Sequence, residues 1–446
     1  MKHSFTVDIE KIVYEGRGMG RVDGKVVFVP FTAPGDRVRV EALREKKDYV
    51  EAAPRAVEEA SPLRVKPFCD LFGKCGGCQY QHIPYMEQLK LKEEALKDFL
   101  QRLNPEGGFE LLPVVPSAKD RDYRIRVQFK GGWSGGRNIL GFYGLKTHRL
   151  VEVKECPLLH PLANEILKNL RKWMEEKRKI FVRNLDLQIS PDEDVGVMRF
   201  KAEGASNLNM AEAVCKEIPK VQGAVVEGTR KTSWGDLTLS YCWPKIIEQE
   251  SLRIRVGFGS FSQVNPHQNW NLRQQVVEWA ELTSREKVID LYCGSGNLTL
   301  PLGQRAMKVW GVDQDRPAVE MARENARENK LDNCAFFAAS AEDGVRRVLK
   351  ETDSVDVAVL DPPRAGAKKE VFNILPLLHA SKILYVSCEP PTLMRDLARL
   401  QALGYHLKRI QPLDMFPQTY HIEVVAELIK NRGQGFQGAQ RKNRNT

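Results

Sequence analysis

The sequence predicts a multidomain α/β protein with an amino-terminal OB-like β-barrel, a mixed α/β middle domain containing a cysteine-rich loop, and a carboxyl-terminal Rossmann-like, doubly wound sheet. Three observations carry that reading. Short alternating segments broken by glycines fill residues 4 to about 58, strands mix with an amphipathic helix between 123 and 258, and strands alternate with helices from Phe261 onward. A chain of 446 residues exceeds one ordinary core, so the expected parts are 1–60, 61–258, 259–430 and a basic tail, 431–446.

In the first part VDIEKIV, GKVVFVP and DRVRVEAL alternate, punctuated by Gly16, Gly18, Gly20, Gly24 and the Pro34–Gly35–Asp36 turn. Arg17, Arg21, Lys25, Arg37 and Arg39 are interleaved with them, a face that suits a phosphate backbone or plain solvent. A Pro-, Gly- and Cys-rich loop from Pro62 to Cys78 then feeds PYMEQLKLKEEALKDFLQRL, which has helical periodicity. Helix 85–103 belongs to the middle domain in sequence, with the option of packing on the carboxyl-terminal one. Strands YRIRVQF, RLVEV, AVVEG and LTLSYCW and the helix PLANEILKNLRKWMEEK follow, with GGWSGGR as a hairpin tip. Last come KVIDLYC, MKVWGVD, VDVAVLDPP and KILYVSC as strands of a parallel sheet. The tail NRGQGFQGAQRKNRNT has no acid and almost no apolar residue, so disorder and nonspecific affinity for a polyanion are expected of it.

Lys and Arg number 68 against 58 Asp and Glu, a net charge of +10 that draws polyanions, nucleic acid first among them. No signal-like start and no bilayer-length apolar run occur, so a cytoplasmic protein without a membrane partner is expected. No obligate protein partner is expected either, and a monomer is. In a reducing compartment nine cysteines point to metal binding or catalysis rather than disulfides.

The strand ending in DLYCGSGN carries an acid and two glycines, Gly294 and Gly296, where backbone can approach a ligand closely. A second strand ends at Asp313, the spacing at which an acid reaches ribose hydroxyls. No third glycine stands in dinucleotide-binding register and no P-loop Lys follows, which disfavours a pyrophosphate ligand. The pattern resembles class I methyltransferases that bind S-adenosyl-L-methionine. A third strand ends in Asp361-Pro-Pro-Arg364, and an Arg at the fourth position weakens a reading as amino-group methylation. Cys388 ends a buried strand at the same sheet edge. A thiolate there suits addition to C6 of uracil, which makes the electron-poor C5 reactive. Glu423, a carboxylate in the otherwise apolar IEVVAEL, is the candidate base for the C5 proton. His421 is its rival; alternation puts His421 and Glu423 on one face, so His421 could equally position the carboxylate or the RNA.

Together FSQVNPHQN, DLYCGSGNLTLPL, LDPPRAG, YVSCEPPTL and MFPQTYHIE resemble the bacterial RNA uridine-C5 methyltransferases, and the barrel resembles their RNA-binding TRAM domain. The resemblance implies S-adenosyl-L-methionine contacts from Gln263, Tyr292, Asn297, Asp313, Ser340 and Asp361, with Cys388 as nucleophile and Glu423 as base. Ser340 departs from the usual Asn or Asp, and Glu389 replaces the Asn of S-C-N-P, setting a negative charge beside the thiolate. A second cysteine after the Pro of the DPP motif would indicate cytidine methylation, and none is present. A catalytically idle RNA-binding factor would need a broken pocket.

Cys69-x5-Cys75-x2-Cys78 sets three thiolates on one loop, and Cys156 is the natural fourth ligand. Four thiolates suit zinc or an iron–sulfur cluster. Three plus one distant ligand favours [4Fe–4S], which the family resemblance also implies. The spacing is not the C-x3-C-x2-C of radical enzymes, so a structural cluster is expected. A TRAM-like domain together with these cysteines resembles the branch that modifies 23S ribosomal RNA, with transfer RNA as the alternative.

Overall fold

The computed structural model describes residues 4–103, 108–177, 181–203, 210–228, 230–246 and 249–430. The predicted tail, 431–446, lies outside the described residues. The amino-terminal sheet has six strands in the order Ser4–Asp8, Arg37–Glu45, Tyr49–Glu59, Lys25–Pro30, Arg17–Val22 and Lys11–Val13. Alternation decides what faces inward: Val38 and Val40 join Val7, Val27, Val29 and Val50 in the barrel core, while Arg37 and Arg39 point out. At Gly20 a Cβ would lie 2.1 Å from the Asp8 carbonyl oxygen, so glycine is what lets two backbones meet and the sheet curl. The five interleaved cations are not a bare stripe. Arg17 pairs with Glu15 (3.2 Å), Arg21 with Glu10 (4.0 Å), Lys25 with Glu45 (2.6 Å), Arg37 with Asp8 (3.7 Å) and Arg39 with Glu58 (3.6 Å).

A seven-stranded sheet follows, in the order Leu150–Glu152, Arg137–Tyr143, Arg126–Ser134, Phe181–Ser190, Val195–Glu203, Val221–Glu227 and Lys231–Gly235. The hairpin tip falls at Gly135–Gly136, where the glycine-rich run predicts it. Helix Pro161–Glu176 buries Ile166, Leu167, Leu170 and Trp173 against this sheet, and starts with His160 Nδ1 accepting from the Leu162 N–H (3.3 Å). LTLSYCW does not join the sheet. It pairs as Thr238–Trp243 with Leu252–Gly257 in a separate two-stranded ribbon.

The carboxyl-terminal sheet has eight strands: Cys334–Ala338, Lys308–Asp313, Lys287–Leu291, Val357–Leu360, Lys382–Ser387, Glu423–Lys430, Tyr405–Leu413 and Glu110–Leu111. The first five run parallel, as expected of a doubly wound sheet. Glu423–Lys430 instead runs antiparallel to both its neighbours, because the short return after Leu413 carries no crossover helix. The edge strand Glu110–Leu111 comes from ahead of the middle sheet, and helix Tyr85–Leu103 packs Leu89, Leu96 and Leu100 into the core that holds Leu393, Leu397 and Leu400. No described helix is long and apolar enough to cross a membrane.

Candidate active site

The parallel strands deliver their ends to one edge, where a cavity of about 500 Å³ is lined by Gln263, Asn269, Tyr292, Gly294, Asn297 and Asp361, among others. The turn after Lys287–Leu291 takes left-handed backbone at Tyr292 (φ 71°), Gly294 (φ 54°) and Gly296 (φ 95°). A Cβ on Gly294 would meet nothing within 4 Å, so the turn leaves open space beside the backbone. Asp313 accepts from the Gly294 N–H (3.0 Å) and the Asp315 N–H (2.8 Å), which fixes its carboxylate at the end of the second strand. Asp290 accepts from Thr299 Oγ1 (2.5 Å), and its other oxygen is buried without a partner. Burial pushes Asp290 up to about 8, with the charges of Asp361 and Asp313 acting in the same direction and Thr299 against it. Burial, then the charge of Asp313, pushes Asp361 up to about 7. A concave, partly apolar site with an unpartnered buried oxygen and a fixed carboxylate beside it suits a small ligand with polar hydrogen-bonding groups.

Cys388 and Glu423 meet through strand register. Ser387 lies opposite Val424 in the antiparallel pair, so the next position outward sets Cys388 across from Glu423. Glu423 is 3% exposed, and burial followed by the charge of Asp361 raises it well above the usual carboxylate range, opposed by Arg364. The Cys388 thiol is pushed up to about 12, first by burial and then by Glu423, while Arg364 lowers it by charge and by a hydrogen bond. His421 precedes the strand, so alternation does not pair it with Glu423. Burial, then Arg364, Lys92 and Arg124, bring it down to about 3 and keep it neutral, with Nδ1 unpartnered and the ring 4.1 Å from that of Tyr420.

Of the expected residues, Gln263, Tyr292, Asn297 and Asp361 line the cavity; Asp313, Ser340, Cys388 and Glu423 do not. Asp361 joins the two groups, facing the cavity and acting on Cys388 and Glu423 alike. Ser340 is engaged as the N-cap of helix Ala341–Val348, accepting from the Asp343 N–H (3.1 Å). In FSQVN, Asn265 caps helix Pro266–Ala280 by accepting from the Gln268 N–H (3.3 Å). Sequence reasoning missed three residues. Asn269 exchanges both amide hydrogen bonds with Asn297 (3.0 Å each). Arg273 is 2% exposed, lies 3.9 Å from the Trp243 ring centroid, and has no acid partner among the described residues. Arg364 lowers the Cys388 thiol, against burial and Glu423. The spacing from Asn269 to Arg273, one helical turn beyond a capping Asn-Pro, was the available signal for the first two.

The four cysteines Cys69, Cys75, Cys78 and Cys156 line one cavity of about 490 Å³, all as free thiols. Asn164 holds Cys156 from both sides, accepting from its N–H (3.1 Å) and donating to its carbonyl (3.0 Å). Burial raises Cys78 to about 12, and the other three thiols add to that. The donor set is of the right chemistry for a cluster, yet among the described residues no group of three or more Cys, His, Asp or Glu is placed to hold a metal ion.

Comparison with known proteins extends over nearly the whole chain. The tRNA (uracil-5-)-methyltransferase family matches residues 243–431, and the TRAM domain of tRNA (uracil(54)-C(5))-methyltransferase matches residues 5–63. An uncharacterized RNA methyltransferase of Caldanaerobacter subterraneus subsp. tengcongensis is 34% identical over 439 residues, covering 95% of this chain and 97% of that one. One from Aquifex aeolicus is 34% identical over 426 residues, covering 94% and 97%. Among solved structures, the Pyrococcus abyssi tRNA (uracil-54, C5)-methyltransferase in complex with S-adenosyl-L-homocysteine superposes with a TM-score of 0.73 at 26% identity, covering 96% of this chain and 100% of that one. The chain therefore belongs to the tRNA (uracil-5-)-methyltransferase family of S-adenosyl-L-methionine-dependent RNA methyltransferases, with a TRAM domain at its amino terminus and a class I methyltransferase fold at its carboxyl terminus.

Proposed function

We propose that this enzyme methylates C5 of a uridine in RNA through a transient Cys388–C6 bond. The observation that carries the reading is the register that faces Cys388 with Glu423, beside an Asp361 shared with the cavity. S-adenosyl-L-methionine supplies an electrophilic methyl group on its sulfonium. Gln263, Tyr292, Asn297, Asp313 and Asp361 would hold it, and Ser340 shapes the loop after strand Cys334–Ala338. Cys388 Sγ adds to C6, with Arg364 favouring the thiolate over the buried thiol. C5 becomes nucleophilic and takes the methyl. Glu423, made a stronger base by burial, accepts the C5 proton, the C5–C6 double bond re-forms, and the sulfur leaves. The uridine enters flipped from its stack, at a cost of roughly a few kcal/mol. Phe261, 68% exposed and lining both cavities, offers an aromatic face at that entrance.

The RNA target divides into two readings. Resemblance of the cysteine loop supports 23S ribosomal RNA, and on this reading Cys69, Cys75, Cys78 and Cys156 hold a [4Fe–4S] cluster that ties the loop to the middle sheet. The TRAM domain does not separate the two, since the matching domain is that of a tRNA (uracil(54)-C(5))-methyltransferase. Full-length similarity to the Pyrococcus abyssi enzyme favours transfer RNA as the second reading. Nucleoside mass spectrometry of both RNAs after incubation with the enzyme and S-adenosyl-L-methionine decides. 5-Methyluridine in 23S ribosomal RNA alone supports the first reading, and in transfer RNA alone the second. 5-Methylcytidine, N6-methyladenosine or no product overturns the reaction.

A further inference from the structure

Glu389 is the one residue beside the nucleophile that departs from the family pattern, and its side chain has an unusual partner. It heads helix Pro390–Ala402, an end where a carboxylate commonly caps, but it makes no side-chain cap. Its backbone is held locally: the N–H donates to Ser387 Oγ (3.2 Å) and the carbonyl accepts from Thr392 Oγ1 (3.0 Å). The carboxylate instead turns to the amino-terminal barrel and accepts from the hydroxyl of Tyr14, which is 375 residues away in sequence. Tyr14 is clamped edge-on between Phe99 of helix Tyr85–Leu103 and Tyr420, with ring centroids 5.5 Å apart in both cases. Three separate elements therefore fix where that hydroxyl points.

We propose that Tyr14 is a positioning residue through which the barrel holds the Glu389 carboxylate away from Cys388, protecting the nucleophile from an adjacent like charge. The proposal rests on Cys388 being the nucleophile. Glu423, Arg364 and Asp361 are the charged groups with the largest effects on Cys388, while the Glu389 carboxylate is turned to the Tyr14 hydroxyl. Around the pair stand Tyr420 and Glu15, the latter paired with Arg17 (3.2 Å) and Lys146 (3.9 Å). Burial, then the hydrogen bond to Glu389 and its charge, hold the Tyr14 phenol well above its ordinary range, so it keeps the proton it donates. In a chain with Asn at this position, no such restraint would be needed. The TRAM domain thus does more here than carry RNA: it completes the setting of the nucleophile.

The test is the rate at which iodoacetamide alkylates the Cys388 peptide, read by mass spectrometry from neutral to alkaline pH in the full chain. This readout does not depend on methyl transfer. Y14F is expected to slow alkylation roughly tenfold at each pH below the thiol pKa, the loss that a rise of about one unit produces. Y14F/E389N is expected to recover the lost rate, because the charge to be restrained is gone. Alkylation of Y14F at the wild-type rate or faster, the latter being what loosened packing would give, overturns the proposal. So does a double variant that stays slow. Full methyl transfer by C388A would instead overturn the nucleophile assignment, whatever the alkylation rates show.

Discussion

At the scale of single residues the site is governed by burial of carboxyl groups beside one another. Glu423 has almost no water to stabilise its charge, so its conjugate base is strong when formed. Removing that base should leave addition and methyl transfer possible but block release. E423Q is expected to cut product formation by about 10²–10⁴ and to leave RNA covalently attached to protein on a denaturing gel. Free 5-methyluridine at near the wild-type rate would contradict the assigned role. Asp290 makes a stability statement of the same kind. Its folded pKa of about 8 lies above the value of 3.8 for an unburied carboxyl. The fold thus favours the protonated form, and that contribution is full below the unfolded pKa and is lost as pH rises through the folded one. D290N, which can still accept from Thr299, is expected to raise the thermal midpoint more at mildly alkaline than at acid pH. An equal change at both pH values would show that Asp290 does not carry the effect.

At the scale of elements, helix Tyr85–Leu103 is the splice between the amino-terminal half and the catalytic sheet. Its leucine face enters the carboxyl-terminal core, and on the same helix Lys92 forms a fully buried ion pair with Asp414, with a further bond to the Phe416 carbonyl (3.2 Å). Gln88 donates to Gln418 (2.9 Å) beside it. These partners lie in the segment leading to His421 and Glu423, so the helix holds the approach to Glu423 as well as the core. K92M would leave Asp414 buried and uncompensated, at an expected cost of about 3–5 kcal/mol in urea denaturation. A cost below 1 kcal/mol, the range of exposed pairs, would mean that water reaches Asp414.

At the scale of the whole molecule, the barrel and the cysteine loop converge on the catalytic edge. Phe31 of the barrel stacks edge-on against Phe72 of the loop, with ring centroids 5.3 Å apart, and Gly76 sits against the Tyr143–Leu145 backbone of the middle sheet. A cluster held by all four cysteines would lock this junction. C156A is expected to abolish retention of iron and sulfide after reconstitution and to lower the thermal midpoint. Unchanged iron and sulfide content would remove Cys156 from the ligand set. The five interleaved cations Arg17, Arg21, Lys25, Arg37 and Arg39 are each matched by an acid, so exposed pairs worth about 0–1 kcal/mol can be exchanged for phosphates without leaving a buried charge behind.

What the sequence determined by itself was whatever is written in local period and punctuation. Alternation in DRVRVEAL decided which barrel residues face in, and strand followed by acid and glycines marked the cavity turn at Asp290–Gly294. A cysteine ending the run KILYVSC marked the sheet edge where the proposed nucleophile stands. Tertiary structure alone decided the pairings between such segments. Nothing within IEVVAEL tells that Glu423 starts an antiparallel strand facing Cys388, that Lys92 answers Asp414 322 positions away, or that Glu389 is met by Tyr14. The same holds for the acids that neutralise the barrel's cations. The physical reason is that side-chain period fixes the face a residue shows, whereas its partner depends on register and on the packing of distant elements, which leave no local mark.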